Sequence, residues 1–256
     1  MGIGRFDTSF GPGFMASIAH VDDRILVVNK PPGLSLATPR ADPRAAVRRL
    51  LECMTPAERD SLGLSSENLW LVHRLDVGTS GLVMLARNSE THKLLTRELG
   101  ERRVEKTYLA LVWGHLRPKE GVFGFSLGPD PRDRRRMKVD PEGRSALTCY
   151  RTIADAPHVA LVELRPETGR THQIRVHLAH SGHWIVGDDL YGGPRHHGVR
   201  GKDVRDGLNP GHPLLHAWKL KLSWTPAPLD LVARPPDSFM RALSVLGMRT
   251  DCIGDD

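Results

Sequence analysis

HRLDVGTSGLVMLAR, residues 73–87, reads as strand, turn and strand. A strand over 70–75 delivers His73, Arg74, Leu75 and Asp76 to its end. Thr79, Ser80 and Gly81 suit a tight backbone, and residues 82–86 return to the core as an apolar strand. An aspartate in the connecting loop Asp76–Gly81 sits where a rigid sheet can hold it against a ligand. Its plain alternative is a turn or capping aspartate, a common arrangement.

Flanking segments extend the pattern. Residues 24–29, RILVVN, form a β-rich run that Lys30-Pro31-Pro32-Gly33 ends, because proline cannot continue a ladder. A helix is predicted over 43–53, with Asp42 placed to cap it and Pro43 at its first position. A second is predicted over 89–100, capped by Ser89 and closed by Gly100. Strands follow over 106–114, 121–127, 144–153 and 158–164. Then come a helix over 171–181, with Thr168 or Thr171 near its start and Gly182 at its end, strands over 214–224 and 229–234, and a helix over 236–246 that begins at Pro236. The order is neither a strict βαβ alternation nor helices alone. It predicts an α+β fold built on a mixed, mostly antiparallel sheet with flanking helices. No linker divides the chain, so the expected organisation is a tail over 1–17, one folded domain over 18–246 and a tail over 247–256. Met15 is an alternative start. Residues 192–213 lack periodicity and are expected to form a long exposed loop of functional or mobile character.

Composition narrows the setting. Of 256 residues, 39% are hydrophobic and 26% charged, which fits a folded protein rather than a disordered one. No apolar run approaches the ~20 residues of a membrane helix, and the first fifteen residues lack the order of a secretory signal. Cys53, Cys149 and Cys252 are odd in number and widely spaced, which argues against a disulfide framework and for a reducing cytoplasm. The formal charge of +6 favours a polyanionic partner.

Three further blocks carry candidate chemistry. In ETGRTHQIRVHLAHSGHWIVGDDLYG (167–192), Ile174, His177, Leu178 and Ser181 share a helix face and Arg175 lies at a neighbouring angle. On the surface Arg175 needs no partner; buried, it needs a carboxylate, and Asp76 is the obvious one. His172, His177, His180 and His183 have no HExxH spacing, so no metal is expected and packing histidines are the better reading. In KTYLALVWG (106–114), Lys106, Tyr108, Ala110 and Val112 face one side of a strand. Tyr108 is either a core residue or a ring able to stack on a base. RDRRRMK (132–138) tips a hairpin, where Arg132, Arg134, Arg135, Arg136 and Lys138 are either a solvated turn or phosphate contacts.

Together these blocks resemble the RluA-type pseudouridine synthase family, from about residue 18 to 240. NKPPGL (29–34) is similar to its early motif, HRLDVGTSG (73–81) to its catalytic motif, KTYLALVWG to its tyrosine strand, GRTHQIRVHLAHSGHWIVGDDLYG (169–192) to its arginine motif and LLHAWKL (214–220) to a late strand. The resemblance implies the pseudouridine synthase fold with a central active-site cleft. It implies a catalytic domain that isomerises uridines of ribosomal or transfer RNA, with no metal or organic cofactor, acting as a monomer in the short form without an S4-like module. Asp76 corresponds to the catalytic aspartate, Tyr108 to the stacking tyrosine and Arg175 to the arginine that pairs with the aspartate. Arg74 corresponds to an arginine that enters the space left by the flipped nucleotide, and Ile174 to a pocket wall. His73, Lys106 and Arg170, in the same motifs, complete the expected substrate-binding set, and the 132–138 cations the expected backbone contacts. Only Asp76 offers an obvious carboxylate, acting on the sugar either as nucleophile at C1′ or as base at C2′. A non-catalytic RNA-binding protein of the same fold and a nucleoside or phosphate-ester hydrolase are the rival readings.

Overall fold

The computed structural model of the chain describes residues 15–193, 195–225, 227–249 and 253. Chain order is β1 (Ser17–Val21), β2 (Ile25–Lys30), α1 (Ala45–Glu52), α2 (Pro56–Ser61), β3 (Trp70–Leu71), β4 (Ser80–Ala86), α3 (Ser89–Gly100) and β5 (Val104–Trp113). There follow β6 (Glu120–Phe123), β7 (Leu127–Pro129), β8 (Met137–Val139), β9 (Thr148–Ala156), β10 (Val159–Pro166) and α4 (Gln173–His180). The chain continues through α5 (Lys202–Gly207), β11 (Leu215–Leu222), β12 (Leu229–Val232) and α6 (Asp237–Val245).

The main sheet runs β1-β2-β4-β11-β5-β10-β9-β6, with β12 paired to β11 and β3 to β4. Among the described residues every pairing of named strands in this sheet is antiparallel except β4 with β11, so the expected mixed, mostly antiparallel α+β sheet is what forms. The parallel contact spans only His216 with Ser80 and Ala217 with Gly81. Gly81 has φ +113°, and a Cβ there would lie 2.3 Å from the Ala217 carbonyl oxygen. A side chain at residue 81 would therefore push β4 and β11 apart.

Alternation along β5 sends side chains to two cores. Tyr108, Ala110 and Val112 pack with α1 and α4 residues such as Leu50 and Leu178. Leu109 and Leu111 pack with Trp218 and with Phe239 and Leu243 of α6. A third cluster joins Leu95 of α3 to Met84 and Leu220. Both faces of the sheet are thus covered.

Several predicted boundaries shift. The strand expected to carry His73–Asp76 is only two residues long. The His73 Nε2 accepts the Met84 backbone N–H at 3.2 Å, so a side chain takes the bond that a continuing strand would need. The α3 cap is Asn88 rather than Ser89, because Asn88 is extended and its Oδ1 accepts the Thr91 N–H at 2.8 Å. The 43–53 helix begins at Ala45 behind Arg44; Asp42 Oδ1 accepts only the Arg44 N–H, at 3.3 Å. The 121–127 run splits between β6 and the small β7–β8 sheet. The 192–213 segment is not a bare loop: His196–Gly198 is a 3-10 turn, and α5 lies against α6, with Val199 and Leu208 buried. Within 247–256, Met248 and Ile253 are buried beside Trp218, whose Nε1 donates to the Ile253 carbonyl. Expectations on residues 1–14 and on Cys252 lie outside the described residues.

His216 is wholly buried on β11. Its Nε2–H donates to the Ala233 carbonyl at 2.9 Å, leaving Nδ1 to accept from the Ser80 hydroxyl at 2.9 Å. Burial pushes this imidazole down to about 4. An unfolded histidine titrates near 6.5, so between pH 6.5 and about 4 the unfolded chain binds more protons than the folded one. Stability from this group is complete above pH 6.5 and is lost as pH falls through about 4. The thermal midpoint should decline across that window, less steeply in His216→Gln; a flat profile would contradict neutral burial.

Candidate active site

The site is assembled from two loops and the elements beside them around a slot of about 190 Å³. Arg74, Leu75, Asp76 and Thr79 come from the loop before β4, Lys106 and Tyr108 from β5, and residues 166–175 from the end of β10 through α4. Leu215 of β11 closes one wall.

The Asp76 loop is held from beneath by NKPPGL. The Gly33 N–H donates to the Val77 carbonyl at 2.8 Å. The fully buried Lys30 ammonium donates to the carbonyls of Pro31, Leu34 and Val77 at 2.9, 3.1 and 3.3 Å. Burial pushes Lys30 down to about 7, partly opposed by the Asp76 charge, while three carbonyls match the three protons of the ammonium. A buried cation without a facing carboxylate is thereby used as a backbone clasp.

Arg175 projects from α4 and is nearly buried. Its Nε and Nη2 grip both oxygens of Asp188 at 2.8 Å each, and its Nη1 reaches Asp76 Oδ2 at 3.3 Å. Burial opposes the charged guanidinium, but the Asp188 hydrogen bonds and the Asp188 and Asp76 charges outweigh it and raise its affinity for the proton. The expected Asp76–Arg175 contact is present. The buried counter-charge is Asp188, however, which is 1% exposed, whereas the Asp76 side chain is 26% exposed and open to the slot. Asp76, the obvious carboxylate from the sequence, is thus one of two, and Asp188 takes the larger share. A planar fork explains the difference: Asp188 takes two parallel bonds from Nε and Nη2 and leaves Nη1 to reach Asp76.

A second line of contacts reaches Asp76 through His172. This residue precedes α4 with φ +56°, a region non-glycine side chains seldom occupy. Its Nε2 lies 3.7 Å from Asp76 Oδ2 and its Nδ1 is 2.8 Å from the Tyr191 hydroxyl. That hydroxyl also accepts the Met137 N–H at 2.8 Å, so it bonds both residues. Burial lowers the proton affinity of His172, and the Asp76 charge offsets part of that. Tyr191 also places its ring 5.0 Å from the Arg175 guanidinium and 5.3 Å from that of Arg136.

Of the remaining expected residues, Tyr108 is buried apart from its slot-facing edge, and its hydroxyl has no hydrogen-bond partner among the described residues. Burial raises its pKa, as does the Asp76 charge, so the phenol stays neutral. Ile174, Arg74, Lys106 and Arg170 all line the slot. His73 does not; it lines the neighbouring groove, with its imidazole pushed down to about 3 by burial and by Lys106. The cations of 132–138 do sit on a hairpin, the four arginines in the β7–β8 turn and Lys138 in β8. Three of them are in ion pairs: Arg135 with Asp133 at 2.7 Å, Arg136 with Asp130 at 3.9 Å and Lys138 with Asp140 at 3.3 Å. Arg132 and Arg134 have no carboxylate partner among the described residues. His177 bonds Thr148 and the Phe125 carbonyl, His180 stacks edge-on with Phe125 and His183 contacts the Trp113 carbonyl. Among the described residues no group of three or more His, Cys, Asp or Glu is placed to hold a metal ion.

Tyr191→Phe removes one acceptor and one donor from the relay while keeping the ring. Loss of the Met137 and His172 bonds should cost about 1–2 kcal/mol, read by urea unfolding, and the Met137 amide should exchange faster. Unchanged exchange at Met137 would contradict the bond assignment.

The geometry can be set beside known proteins. Residues 24–180 match the profile of the family described as RNA pseudouridylate synthase. The chain is 39% identical over 209 residues to an RNA pseudouridine synthase of Chloroflexus aurantiacus, covering 80% of this chain and 65% of that one. It is 39% identical over 179 residues to the dual-specificity RNA pseudouridine synthase RluA of Escherichia coli (strain K12), covering 69% of this chain and 77% of that one. The chain thus spans less than two thirds of the Chloroflexus relative. Human RNA Pseudouridylate Synthase Domain Containing 1 superposes with a TM-score of 0.70 at 27% identity, over 93% of this chain and 90% of that one. Fold, motif order and these likenesses agree: the chain belongs to the RNA pseudouridylate synthase family, as an RluA-type member.

Proposed function

We propose that this protein isomerises uridines of ribosomal or transfer RNA to pseudouridine, with Asp76 as its catalytic carboxylate. The observation that carries the reading is Asp76 itself: a partly open carboxylate held at a slot by Nη1 of an arginine already committed to Asp188. Relatives titled as a large-subunit ribosomal synthase, from Xylella fastidiosa, and as dual-specificity enzymes support RNA of these classes as substrate.

The chemistry breaks N1–C1′, turns the base and forms C5–C1′. The C5 proton leaves and N1 regains one, so nothing is lost overall and no electrons are exchanged. Such a reaction needs no redox cofactor. Asp76 has two ways to act on the sugar: attack at C1′ to form an ester, or removal of the C2′ proton to form a glycal. In both, Arg175 fixes the direction of the carboxylate. Tyr108 and Ile174 flank the detached uracil and keep it from water. The target must leave its stack at a cost of a few kcal/mol, and Arg74, exposed at the mouth, takes the space it vacates. Arg170 and Lys106 on the slot wall, and the hairpin cations, supply backbone contacts. We place the enzyme in a reducing cytoplasm as a monomer; Cys53 and Cys149 are free thiols.

The test is a single-turnover assay on transcribed ribosomal and transfer RNA, with pseudouridine detected by derivatisation because the isomer has the mass of uridine. Asp76→Asn and Asp76→Ala should abolish product while RNA affinity stays within about tenfold, since one carboxylate facing the slot adds little to backbone binding. Product at the normal rate from Asp76→Ala would refute the role. A wild-type protein that binds RNA and makes no pseudouridine would favour a binding protein of the same fold, and release of free uracil a hydrolase. Tyr108→Phe should keep substantial activity and Tyr108→Leu lose far more, because the hydroxyl has no partner and the ring does the stacking. Equal losses would assign the role to the hydroxyl.

A further inference from the structure

A groove of about 620 Å³ adjoins the slot and shares Lys106, Pro166, Thr168, Gly169 and Arg170 with it. We propose that this groove, walled by Arg102, Lys106, Arg165 and Arg170, is a phosphodiester channel that holds the nucleotides on one side of the target. The proposal rests on the RNA reading above and names the part of the surface that carries the strand.

Three observations support it. First, the slot is smaller than the usual few hundred Å³ of a site for a whole small ligand. A polymer with one unit in the slot must lay its neighbours in the space that opens from it. Second, the four cations of the groove are uncommitted. None has a carboxylate partner among the described residues, and Arg170 donates only to the Ser145 carbonyl, at 3.0 Å. Glu105 and Glu167 also line the groove, leaving the wall net positive. On the hairpin, by contrast, three of five cations are already in pairs with aspartates of the same hairpin. Lys106 is the sharpest case: its ammonium stands between slot and groove, largely desolvated, with its proton affinity lowered by burial. An anion arriving there meets a charge that no carboxylate among the described residues neutralises.

Third, Arg102 follows the Glu101 cap of α3 with φ +59°. Glycine or asparagine takes this position more readily. An arginine in a backbone state that disfavours it, with its side chain over the groove, fits a role for its charge.

The experiment measures affinity for a fluorescein-labelled single-stranded oligouridylate over a range of salt. Removing two backbone contacts from a single strand should lower the slope of log K against log salt by about 1.4. Arg102→Ala/Arg165→Ala should show that loss, with a thermal midpoint like that of the wild type because both side chains are exposed. Lys106→Met should lose about half as much. The hairpin pair Arg132→Ala/Arg134→Ala serves as comparator. A wild-type slope in Arg102→Ala/Arg165→Ala overturns the channel, whether or not the hairpin pair lowers it; if Lys106→Met does not fold, the exposed pair decides alone. Failure of the parent reading looks different: the wild type would then form no pseudouridine in transcribed RNA, whatever its salt slope.

Discussion

The site depends on how one guanidinium divides its hydrogen bonds. Arg175 is buried, and a buried charge is tolerable only when another answers it. Asp188 answers with two parallel bonds and is itself sealed from water. Because the guanidinium is planar and rigid, that grip fixes where Nη1 lies, and Nη1 donates to Asp76. Asp188 therefore sets the position of a carboxylate it does not touch. The arrangement need not stabilise the fold; buried ion pairs often do not. What it supplies is a fixed direction.

Other contacts hold the two ends of that arrangement. Beneath Asp76, Lys30 and Gly33 clasp Val77, and Gly81 lets β4 lie against β11 so that the loop meets the sheet. Beside Asp76, His172 and Tyr191 run from the carboxylate to the backbone of the hairpin. A surface hairpin is thus joined by two hydrogen bonds to a residue facing the slot. The charged turn of 132–138 is partly neutralised by its own aspartates, whereas the cations of the groove adjoining the slot have no carboxylate partner among the described residues.

Much of this was legible from residue types. Tight turns demand glycine, alternation on β5 predicts which face Tyr108 shares with Ala110 and Val112, and a buried arginine demands a carboxylate. What was not legible depended on choices among equivalents. The sequence points to Asp76 as the partner of Arg175, and only the fold shows that Asp188 takes the fork. Asn88 and Ser89 are both good caps, and the backbone decides between them. His73 looked like a strand residue, but its ring replaces the backbone bond that would have continued β3. Lys30 gave no hint of burial, since lysines are rarely buried. In contrast, α2 is legible in the sequence although it is not among the predicted helices: Thr55 and Glu58 form a reciprocal capping box, a pattern readable three residues apart.

The most direct test of the account replaces the fork by a point charge. Arg175→Lys keeps the positive charge near Asp76 and Asp188 but cannot hold both carboxylates in one plane. The single-turnover rate of pseudouridine formation, on an RNA that the wild type modifies, should fall about 100-fold, the scale expected when a reacting group is misplaced by an ångström. An unchanged rate in a folded Arg175→Lys protein would show that charge alone suffices and that the directional role given to Arg175 is mistaken.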